Sequence, residues 1–264
     1  MDVKNLFSLE GRVALVTGGS RGIGRMIAEG YVKSGAKVYV SSRKADACDE
    51  TAAALSKFGT CLSLPQDVST VAGCDALAAK FAALEPKLDI LVNNAGAAWS
   101  APFEEFPESG WDKVMDLNLK SPFFLTKALH GPLKAAAATG RHSKVINIAS
   151  IDGVRLNPWE TYSYHASKSG LIYLTRRIAA RLAQDGILVN AIAPGAFASE
   201  MNRTARDHGE AVAKRIPTRR IGVPEDMAAA AIYLASRAGD YVVGETIAVD
   251  GGVAFASIGD ASPS

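Results

Sequence analysis

The stretch Thr17-Gly18-Gly19-Ser20-Arg21-Gly22-Ile23-Gly24 follows directly on the apolar run Val13–Val16, and it decides the fold. Its glycines at positions 18, 22 and 24 form the pattern Gly-x-x-x-Gly-x-Gly between a predicted strand and a predicted helix. Glycines permit positive φ and a close approach of the backbone to a ligand, and a helix N-terminus offers unpaired N–H groups to an anion. At the opening of a strand–helix–strand unit, this pattern is typical of a turn that binds the pyrophosphate of a dinucleotide.

Short β-branched runs alternate with longer, alanine-rich segments along the whole chain. The runs predict seven strands: Val13–Val16, Lys37–Ser41, Cys61–Leu64, Leu88–Val92, Lys144–Ala149, Leu188–Ile192 and Thr246–Val249. The segments between them predict helices over Ile23–Ser34, Ala45–Phe58, Val71–Leu84, Trp111–Ala138, Tyr162–Gln184 and Pro224–Ser236. Most runs lack a period of two, which is typical of strands covered on both faces. The alternation therefore predicts an α/β fold with a doubly wound parallel sheet and right-handed crossovers.

No linker rich in proline, glycine or serine divides the chain, so we expect one domain over residues 1–264. Two segments break the alternation: the polar residues 195–220, with the pattern of a short helix at His208–Lys214, and the tail after Gly252. Long excursions at the carboxyl ends of parallel strands are where such sheets place substrate lids. Residues 195–220 are therefore the predicted lid.

The composition excludes several classes of protein. Of the 264 residues, 48% are hydrophobic, and 29 basic against 27 acidic residues leave a formal net charge of +2. A nucleic-acid-binding domain would be strongly basic, and a disordered chain would be less apolar. No apolar run reaches the roughly 20 residues of a membrane helix, and the N-terminus lacks a secretory signal. The three cysteines fit no zinc or disulfide pattern, so we expect a cytoplasmic protein with reduced thiols, no metal, and no nucleic-acid or membrane partner.

The end of the second predicted strand carries cations where an NAD site would carry an acid. An acid there would accept a hydrogen bond from the ribose 2′-hydroxyl, but the sequence reads Ser42-Arg43-Lys44. Ser20 and Arg21 of the first turn reach the same place, and arginine suits forked contacts with a phosphate. The pattern predicts a site for the 2′-phosphate of NADP(H). The alternative is that these are ordinary charges on a solvated loop.

Two further turns complete a groove for the cofactor. Asp67, followed by Val68, comes just after the third strand and could accept a hydrogen bond from the adenine amine. Asn93-Asn94-Ala95-Gly96 follows the fourth strand and offers two amides and a glycine for close approach. Either stretch alone would be an ordinary turn.

Tyr164 and Lys168 are four residues apart near the start of a predicted helix, so their side chains share one face. An ammonium beside a phenol favours the phenolate, so we expect the pKa of Tyr164 to fall below its usual value of about 10. That makes a general acid–base. Ser150, fourteen residues earlier at a strand end, would orient a substrate carbonyl. Asn118 lies in an apolar part of a predicted helix, needs a polar partner, and could hold a water that links to Lys168.

These motifs, in this order, resemble those of the classical short-chain dehydrogenases/reductases over nearly the whole chain. The matching positions are Thr17–Gly24, Asn93–Gly96, Asn118, Ser150, Tyr164, Lys168, Pro194-Gly195, Gly222–Glu225 and Asp250–Gly252. The resemblance implies a Rossmann fold of seven parallel strands in the order 3-2-1-4-5-6-7. It also implies a catalytic tetrad of Asn118, Ser150, Tyr164 and Lys168.

The resemblance assigns each of these residues a role. Tyr164 would protonate the substrate oxygen, Lys168 would lower its pKa and bind the nicotinamide ribose, Ser150 would position the carbonyl, and Asn118 would hold a relay water. Asp67 and Val68 would hold adenine, Asn94 the adenosine ribose, and Pro194, Gly195 and Phe197 the nicotinamide, with Ser199 where the family usually has threonine. The predicted cofactor residues are Gly18, Ser20, Arg21, Gly22, Ile23, Gly24, Ser42, Arg43, Asp67, Val68, Asn94, Ala95, Gly96, Pro194, Gly195, Phe197 and Ser199.

Within the family, the chain is similar to the NADPH-dependent β-ketoacyl reductases of the rhamnolipid-associated type. The similarity lies in Phe7–Arg12, in Trp99, in Ser109-Gly110-Trp111 and in the long serine–tyrosine spacing. Ser150 lies fourteen residues before Tyr164, whereas in most members of the family the spacing is thirteen residues. It implies reduction of a ketone to a secondary alcohol, with a 3-oxoacyl thioester as one candidate substrate. Sugars, steroids and cyclic diketones are the alternatives, and a non-catalytic nucleotide-binding protein is the alternative of another class.

The predicted substrate pocket contains Trp99, Asp152, Trp159 and Met201. Asp185 stands where a base would dock an acidic carrier protein, and like charges raise the cost of encounter. We therefore expect a free ketone, a CoA ester or a cyclic diketone rather than a carrier-bound chain. The apolar helices Trp111–Ala138 and Tyr162–Gln184 suit packing across a two-fold axis, and the resemblance implies a homotetramer or homodimer.

Overall fold

The computed structural model describes residues 2–256, so the tail beyond Ala256 lies outside the described residues. Seven parallel strands form one sheet in the order β3-β2-β1-β4-β5-β6-β7, as predicted. The strands are β1 (Val13–Thr17), β2 (Lys37–Ser41), β3 (Cys61–Ser63), β4 (Ile90–Asn93), β5 (Ser143–Ile148), β6 (Ile187–Pro194) and β7 (Thr246–Val249). Their bounds differ from the predicted ones by a few residues at the ends, where helix and strand limits are least determined by sequence.

Helices connect the strands and cover both faces of the sheet. They are α1 (Val3–Phe7), α2 (Gly22–Lys33), α3 (Ala45–Leu55), α4 (Val71–Ala82), α5 (Glu108–Met115), α6 (Ser121–Ala128), α7 (His130–Ala137), α8 (Tyr162–Leu182), α9 (Arg203–Asp207), α10 (Gly209–Ala213) and α11 (Pro224–Ala235). One apolar cluster contains buried residues of α2 and α11, and a second contains those of α4, α6 and α7. Every residue of β5 and β6 is buried, as double covering requires.

The prediction of one continuous helix over Trp111–Ala138 was wrong. The segment comprises α5, a π-helical turn at Asp116–Lys120, α6 and α7. Pro122 and Pro132 have no N–H to donate, so the ladder of backbone hydrogen bonds is weakened near the start of α6 and of α7. In the predicted lid, α10 falls within the predicted short helix at His208–Lys214, but α9 was not predicted.

At the amino ends of the strands, two cations are buried in the fold. Lys144 of β5 has no exposed surface, and its Nζ donates to Asp240 Oδ1 over 2.7 Å. Arg12 donates from Nη1 to the carbonyl oxygen of His142 over 2.7 Å and lies 3.9 Å from Asp89 Oδ1. Burial lowers the pKa of Lys144, and the Asp240 carboxylate opposes that shift. We call Arg12, Asp89, Lys144 and Asp240 the amino-edge cluster. It connects residues at the amino ends of the strands with the turns that precede those strands.

Within residues 2–256, no helix is long and apolar enough to cross a membrane. The same part of the chain contains no group of three or more metal-ligating side chains. Cys48, Cys61 and Cys74 are all buried as free thiols.

Candidate active site

The glycine-rich turn connects the end of β1 to the start of α2 and is held in place by β4. Gly18 and Gly22 have positive φ values of 61° and 53°, which favour glycine. A Cβ atom on Gly24 would collide with the Gly18 carbonyl oxygen. Asn94 donates from Nδ2 to the carbonyl oxygens of Thr17 and Gly18 over 2.9 and 3.1 Å. Both amide donors of Asn94 are therefore used to shape the turn, which leaves only its Oδ1 for the predicted ribose contact.

Thr17 has a role that the sequence did not reveal. Its Oγ1 accepts hydrogen bonds from the N–H groups of Asn94 and Ala95 over 3.0 and 3.1 Å and donates to the Val92 carbonyl oxygen over 3.2 Å. One hydroxyl thus ties the end of β1 to the turn after β4. The sequence feature that could have indicated this role is the position of Thr17, a hydroxyl-bearing residue at the end of the first strand and the start of the glycine-rich turn.

The structure brings the two predicted phosphate-binding turns together. Ser20 Oγ, in the turn after β1, donates to Ser42 Oγ, in the turn after β2, over 3.0 Å. Arg21, Arg43 and Lys44 flank these serines in the chain and are exposed. Within residues 2–256 these three cations form no ion pair. Two hydroxyl groups beside unpaired cations, with no acid at the end of β2, fit a 2′-phosphate.

The predicted adenine residues lie in the loop after β3. Val68 is buried, and Asp67 is exposed with its Oδ1 accepting a hydrogen bond from the Ser69 N–H over 2.9 Å. This local turn fixes the Asp67 carboxylate and uses one of its oxygens. Gly96, after β4, lies close to two of the predicted catalytic residues, because a Cβ there would make a tight contact of 3.2 Å with Asn118 Oδ1 and an ordinary one of 3.8 Å with Lys168 Nζ.

Ser150, Tyr164 and Lys168 meet at the carboxyl end of β5. Ser150 ends the strand region, and Tyr164 and Lys168 lie on the first turns of α8. Burial raises the pKa of Tyr164 to about 12, the hydrogen bond with Ser150 lowers it, and the charge of Asp152 raises it. Lys168 Nζ donates to the Ile148 carbonyl oxygen over 2.7 Å and lies 5.7 Å from the centroid of the Tyr164 ring.

The expectation that Lys168 lowers the pKa of Tyr164 was wrong for this structure. The ammonium is directed at the Ile148 carbonyl, and desolvation of the phenolate outweighs the contribution of Ser150. Burial also lowers the pKa of Lys168 to about 8.

Asn118 lies in the π-helical turn rather than in a regular helix, and it has polar partners, as its burial required. Its Oδ1 accepts from the Ala97 N–H over 2.8 Å, and its Nδ2 donates to the Ala97 carbonyl oxygen and to Ser167 Oγ over 2.9 and 3.1 Å. Both of its donors are thus used. A relay water would have to donate to Asn118 Oδ1 or to a backbone carbonyl.

The predicted substrate-pocket residues are only partly gathered. Asp152 lies two residues after Ser150, and its N–H donates to Ser150 Oγ over 3.1 Å. Trp159 and Met201 are largely exposed. Trp99 instead packs against α5: a Cβ on Gly110 would lie 2.7 Å from its ring, and Lys113 Nζ lies 5.1 Å from the ring centroid. Its indole is therefore occupied by a contact within the fold.

The predicted nicotinamide residues follow β6. Pro194 ends β6, and Gly195 donates from its N–H to the Val249 carbonyl oxygen over 2.9 Å. The Phe197 side chain is buried in the core cluster, against Gly222, so only its backbone remains available for a ligand. A Cβ on Gly22 would lie 3.3 Å from the Ser199 Cβ. The predicted lid therefore crosses the glycine-rich turn at Ser199.

Asp185 does not make its surroundings acidic. The expected repulsion between Asp185 and an acidic carrier protein is therefore not supported by the structure. Its carboxylate contacts Lys134 over 3.0 Å, Arg181 over 2.8 Å and His130 over 3.0 Å. Lys134 first, and then His130 and Arg181, hold the pKa of Asp185 well below its usual range. Basic groups thus neutralise this acid.

Comparisons with known proteins agree with this geometry. A family model described as enoyl-(acyl carrier protein) reductase matches residues 18–254. The chain is 46% identical to the rhamnolipids biosynthesis 3-oxoacyl-[acyl-carrier-protein] reductase of Pseudomonas aeruginosa, over 93% of this chain and 97% of the relative. It is 39% identical to the 2-dehydro-3-deoxy-D-gluconate 5-dehydrogenase of Dickeya dadantii, over 95% of this chain and 98% of that protein.

Solved structures give the same result. The Pseudomonas aeruginosa RhlG/NADP active-site complex superimposes with a TM-score of 0.92 at 46% identity, covering 95% of this chain and 99% of that one. The gluconate 5-dehydrogenase of Burkholderia cenocepacia, in complex with NADP and tartrate, superimposes with a TM-score of 0.87 at 34% identity, covering 96% and 98%. The chain therefore belongs to the short-chain dehydrogenase/reductase family and is an NADP(H)-dependent oxidoreductase.

Proposed function

We propose that this chain reduces a ketone to a secondary alcohol with NADPH, using Ser150, Tyr164, Lys168 and Asn118. The observation that carries the proposal is the meeting of the Ser150 and Tyr164 hydroxyl groups at the end of β5, with Lys168 on the same helix as Tyr164. The glycine-rich turn opens at the same edge of the sheet, since both follow the carboxyl ends of parallel strands. A binding-only role would need no such hydroxyl pair.

In this mechanism, NADPH supplies the hydride when bound. The hydroxyl groups of Ser150 and Tyr164 donate hydrogen bonds to the substrate oxygen and orient the carbonyl. As negative charge develops on that oxygen, the Tyr164 O–H bond breaks and its proton moves to the oxygen. Because burial raises the pKa of Tyr164, its hydroxyl group is protonated at neutral pH and has a proton to donate. Lys168, close to Asn118 across Gly96, would then supply a proton to Tyr164 through water.

The cofactor residues follow from the same geometry. We propose that Ser20, Arg21, Ser42 and Arg43 bind the 2′-phosphate and that the turn Gly18–Gly24 binds the pyrophosphate. Asp67, Val68 and Asn94 to Gly96 would line the adenosine. Pro194, Gly195 and Ser199, with the backbone of Phe197, would line the nicotinamide. The hydrogen bond between Ser20 and Ser42 and the unpaired arginines beside them support the phosphate assignment.

For the substrate, we propose a 3-oxoacyl thioester, bound over Asp152, Trp159 and Met201. The similarity to a 3-oxoacyl-[acyl-carrier-protein] reductase supports this class, and so do the exposed apolar side chains of Leu156, Trp159 and Met201. Relatives named as sugar-acid dehydrogenases favour the second candidate, a keto sugar acid. Residues 195–220 would close over either substrate, since Ser199 already lies against Gly22.

A reduction screen tests the activity and the substrate class together. The purified chain would be supplied with NADPH and with 3-oxoacyl-CoA esters, keto sugar acids, steroid ketones and cyclic diketones, and kcat/KM would be measured for each. We expect the largest kcat/KM for a 3-oxoacyl-CoA. A larger value for a keto sugar acid would move the assignment to the second candidate, and NADPH binding without turnover on any ketone would contradict the enzymatic role.

We further propose that the chain forms a homotetramer or homodimer through α6, α7 and α8. These helices flank a groove of about 430 Å³ whose apolar walls include Phe123, Leu174 and Ile178, and Phe123 is exposed in the single chain. Light scattering on the purified protein would give the mass, and a monomer would contradict this proposal. The three free thiols also support a reducing, cytoplasmic location.

A further inference from the structure

The phosphate-binding turns rest on helix α3, which begins just after β2. Two polar residues lie one turn apart on the buried face of this helix: Cys48, with no exposed surface, and Thr51, 3% exposed. Thr51 Oγ1 donates to the Ser20 carbonyl oxygen over 2.9 Å. A threonine inside a helix commonly bonds a carbonyl one turn earlier in its own helix. Here it instead reaches another element.

Cys48 makes the matching contact with the second turn. Its Sγ lies 3.0 Å from Ser42 Oγ and 3.8 Å from the Ser42 carbonyl oxygen. The hydrogen bond from Ser20 Oγ to Ser42 Oγ links the two turns, so contacts connect four residues in series: Thr51 to the Ser20 backbone, Ser20 to Ser42, and Ser42 to Cys48. Both serines therefore contact buried side chains of α3. Exposed cations flank the serines in the sequence.

We propose that Cys48 and Thr51 are positioning residues for the 2′-phosphate and that they set the preference for NADP(H) over NAD(H). The inference rests on the proposed phosphate site at Ser20 and Ser42. It adds that α3 fixes the Ser42 hydroxyl group and the Ser20 backbone before the cofactor binds.

The reason lies in the count of donors. An ionised phosphate accepts hydrogen bonds and donates none. The Ser20 hydroxyl donates its proton to Ser42 Oγ, so Ser42 is the serine that must direct its single O–H proton at the phosphate. The Ser42 hydroxyl has a competing acceptor, the Lys44 carbonyl oxygen, at 3.4 Å. When the Cys48 thiol donates to Ser42 Oγ, it fixes that oxygen and leaves the serine proton for the phosphate. Thr51 fixes the backbone of Ser20 in the same way. A ribose 2′-hydroxyl, uncharged, would gain little from this arrangement.

The test compares ligands that differ only in the 2′-phosphate. Dissociation constants of adenosine 2′,5′-bisphosphate and adenosine 5′-monophosphate, and of NADPH and NADH, would be measured by calorimetry on the full chain. We expect Cys48→Ala and Thr51→Val each to weaken the two 2′-phosphorylated ligands roughly three- to tenfold. The other two ligands should change less than about twofold, since one indirect hydrogen bond is involved. Cys48→Ser and Thr51→Ser keep a donor and should restore most of the affinity.

Cys61→Ala is the matched control, because Cys61 is also a buried free thiol but lies at the amino end of β3, paired with Val38. It should leave all four dissociation constants unchanged. The inference would be overturned if the variants weakened both ligands of a pair equally. It would also be overturned if neither Cys48→Ala nor Thr51→Val changed any dissociation constant. If the wild-type chain bound NADPH no better than NADH, the phosphate site itself would be wrong, which is a separate result. Should Cys48→Ala fail to fold, the Thr51 variants decide alone.

Discussion

Cations lie at both ends of the parallel strands, which we call the amino edge and the carboxyl edge of the sheet, but their environments are opposite. At the amino edge, Lys144 is buried and donates to Asp240, and Arg12 donates to a backbone carbonyl. At the carboxyl edge, Arg21 and Arg43 are exposed and have no acidic partner among residues 2–256. Since a buried charge is compensated within the fold, removal of one partner of an amino-edge cation should destabilise the chain. The exposed, unpaired cations are free to receive an anion from outside.

The comparison shows that partners, rather than the number of charges, separate a structural site from a binding site. The net charge of +2 gives no indication of either edge. Variants at the two edges should therefore affect different measurements.

The largest effect is expected for Tyr164→Phe at the carboxyl edge. Removal of the proton donor should reduce kcat about 10²–10⁴-fold, while the dissociation constant for NADPH stays near that of the wild type. The decrease in nicotinamide absorbance with the best ketone of the screen measures kcat. Tyr162→Phe is the matched control, since the Tyr162 hydroxyl donates to Glu160 rather than meeting Ser150. A Tyr164→Phe enzyme with an unchanged rate would remove Tyr164 from the mechanism.

Arg43→Ala tests the binding side of the comparison. Loss of a charged contact with the phosphate should weaken NADPH about 10- to 100-fold and leave NADH nearly unchanged. Fluorescence titration of each cofactor gives the two dissociation constants. A polar cleft at the amino edge is lined by Arg141, Arg237 and Asp240 among others; Arg237→Ala removes one of its arginines and should change neither constant. Equal losses for NADPH and NADH in Arg43→Ala would mean that this residue does not recognise the 2′-phosphate.

Lys144→Met tests the stability side. It leaves the partly exposed Asp240 without its partner, so the free energy of unfolding should fall by about 1–3 kcal/mol, less than for a fully buried pair. Urea denaturation measures this loss. The folded variant should bind NADPH as the wild type does. Lys33→Met, which removes an exposed pair with Glu29, should cost less than about 0.5 kcal/mol. If Lys144→Met lowered cofactor affinity without lowering stability, the two edges would not be separate.

The last prediction concerns the dependence of stability on pH. Because burial lowers the pKa of Lys168 to about 8 from 10.5, the unfolded chain binds more protons at this residue between those values. The stability of the wild type relative to Lys168→Met should therefore rise as pH increases from about 8 toward 10, by at most about 1.4 kcal/mol per pH unit. Thermal or urea unfolding across this range gives the difference. A difference that is flat or falls with pH would mean that Lys168 is solvated as an ordinary lysine.

The sequence was sufficient to predict those features for which a residue type is required by its local backbone or its burial alone. Glycines that need positive φ marked the first turn, and continuous apolar runs marked the strands. The strand order came from the resemblance of the motifs, and the sheet has that order. Direction of side chains could not be predicted in this way. Asn94 uses both of its amide donors to support the turn and keeps only Oδ1 for the ribose, because the end of β4 pairs beside β1.

The other differences have the same origin. The π-helical turn at Asp116–Lys120 accompanies contacts of Asn118 with Ala97 and Ser167, which are distant in the chain. Asp185 was expected to repel an acidic carrier protein, but a lysine that neutralises it lies on α7, distant in the chain. The roles of Cys48 and Thr51 likewise depend on how α3 packs against two turns.

A crystal structure of the chain with NADPH tests the central claim most directly. We predict that the 2′-phosphate lies within hydrogen-bond distance of Ser20, Ser42 and Arg43, and that the nicotinamide lies beside Tyr164 and Lys168. A cofactor whose 2′-phosphate faces solvent, or lies at the amino edge against Arg141 and Arg237, would contradict the assignment of the two edges.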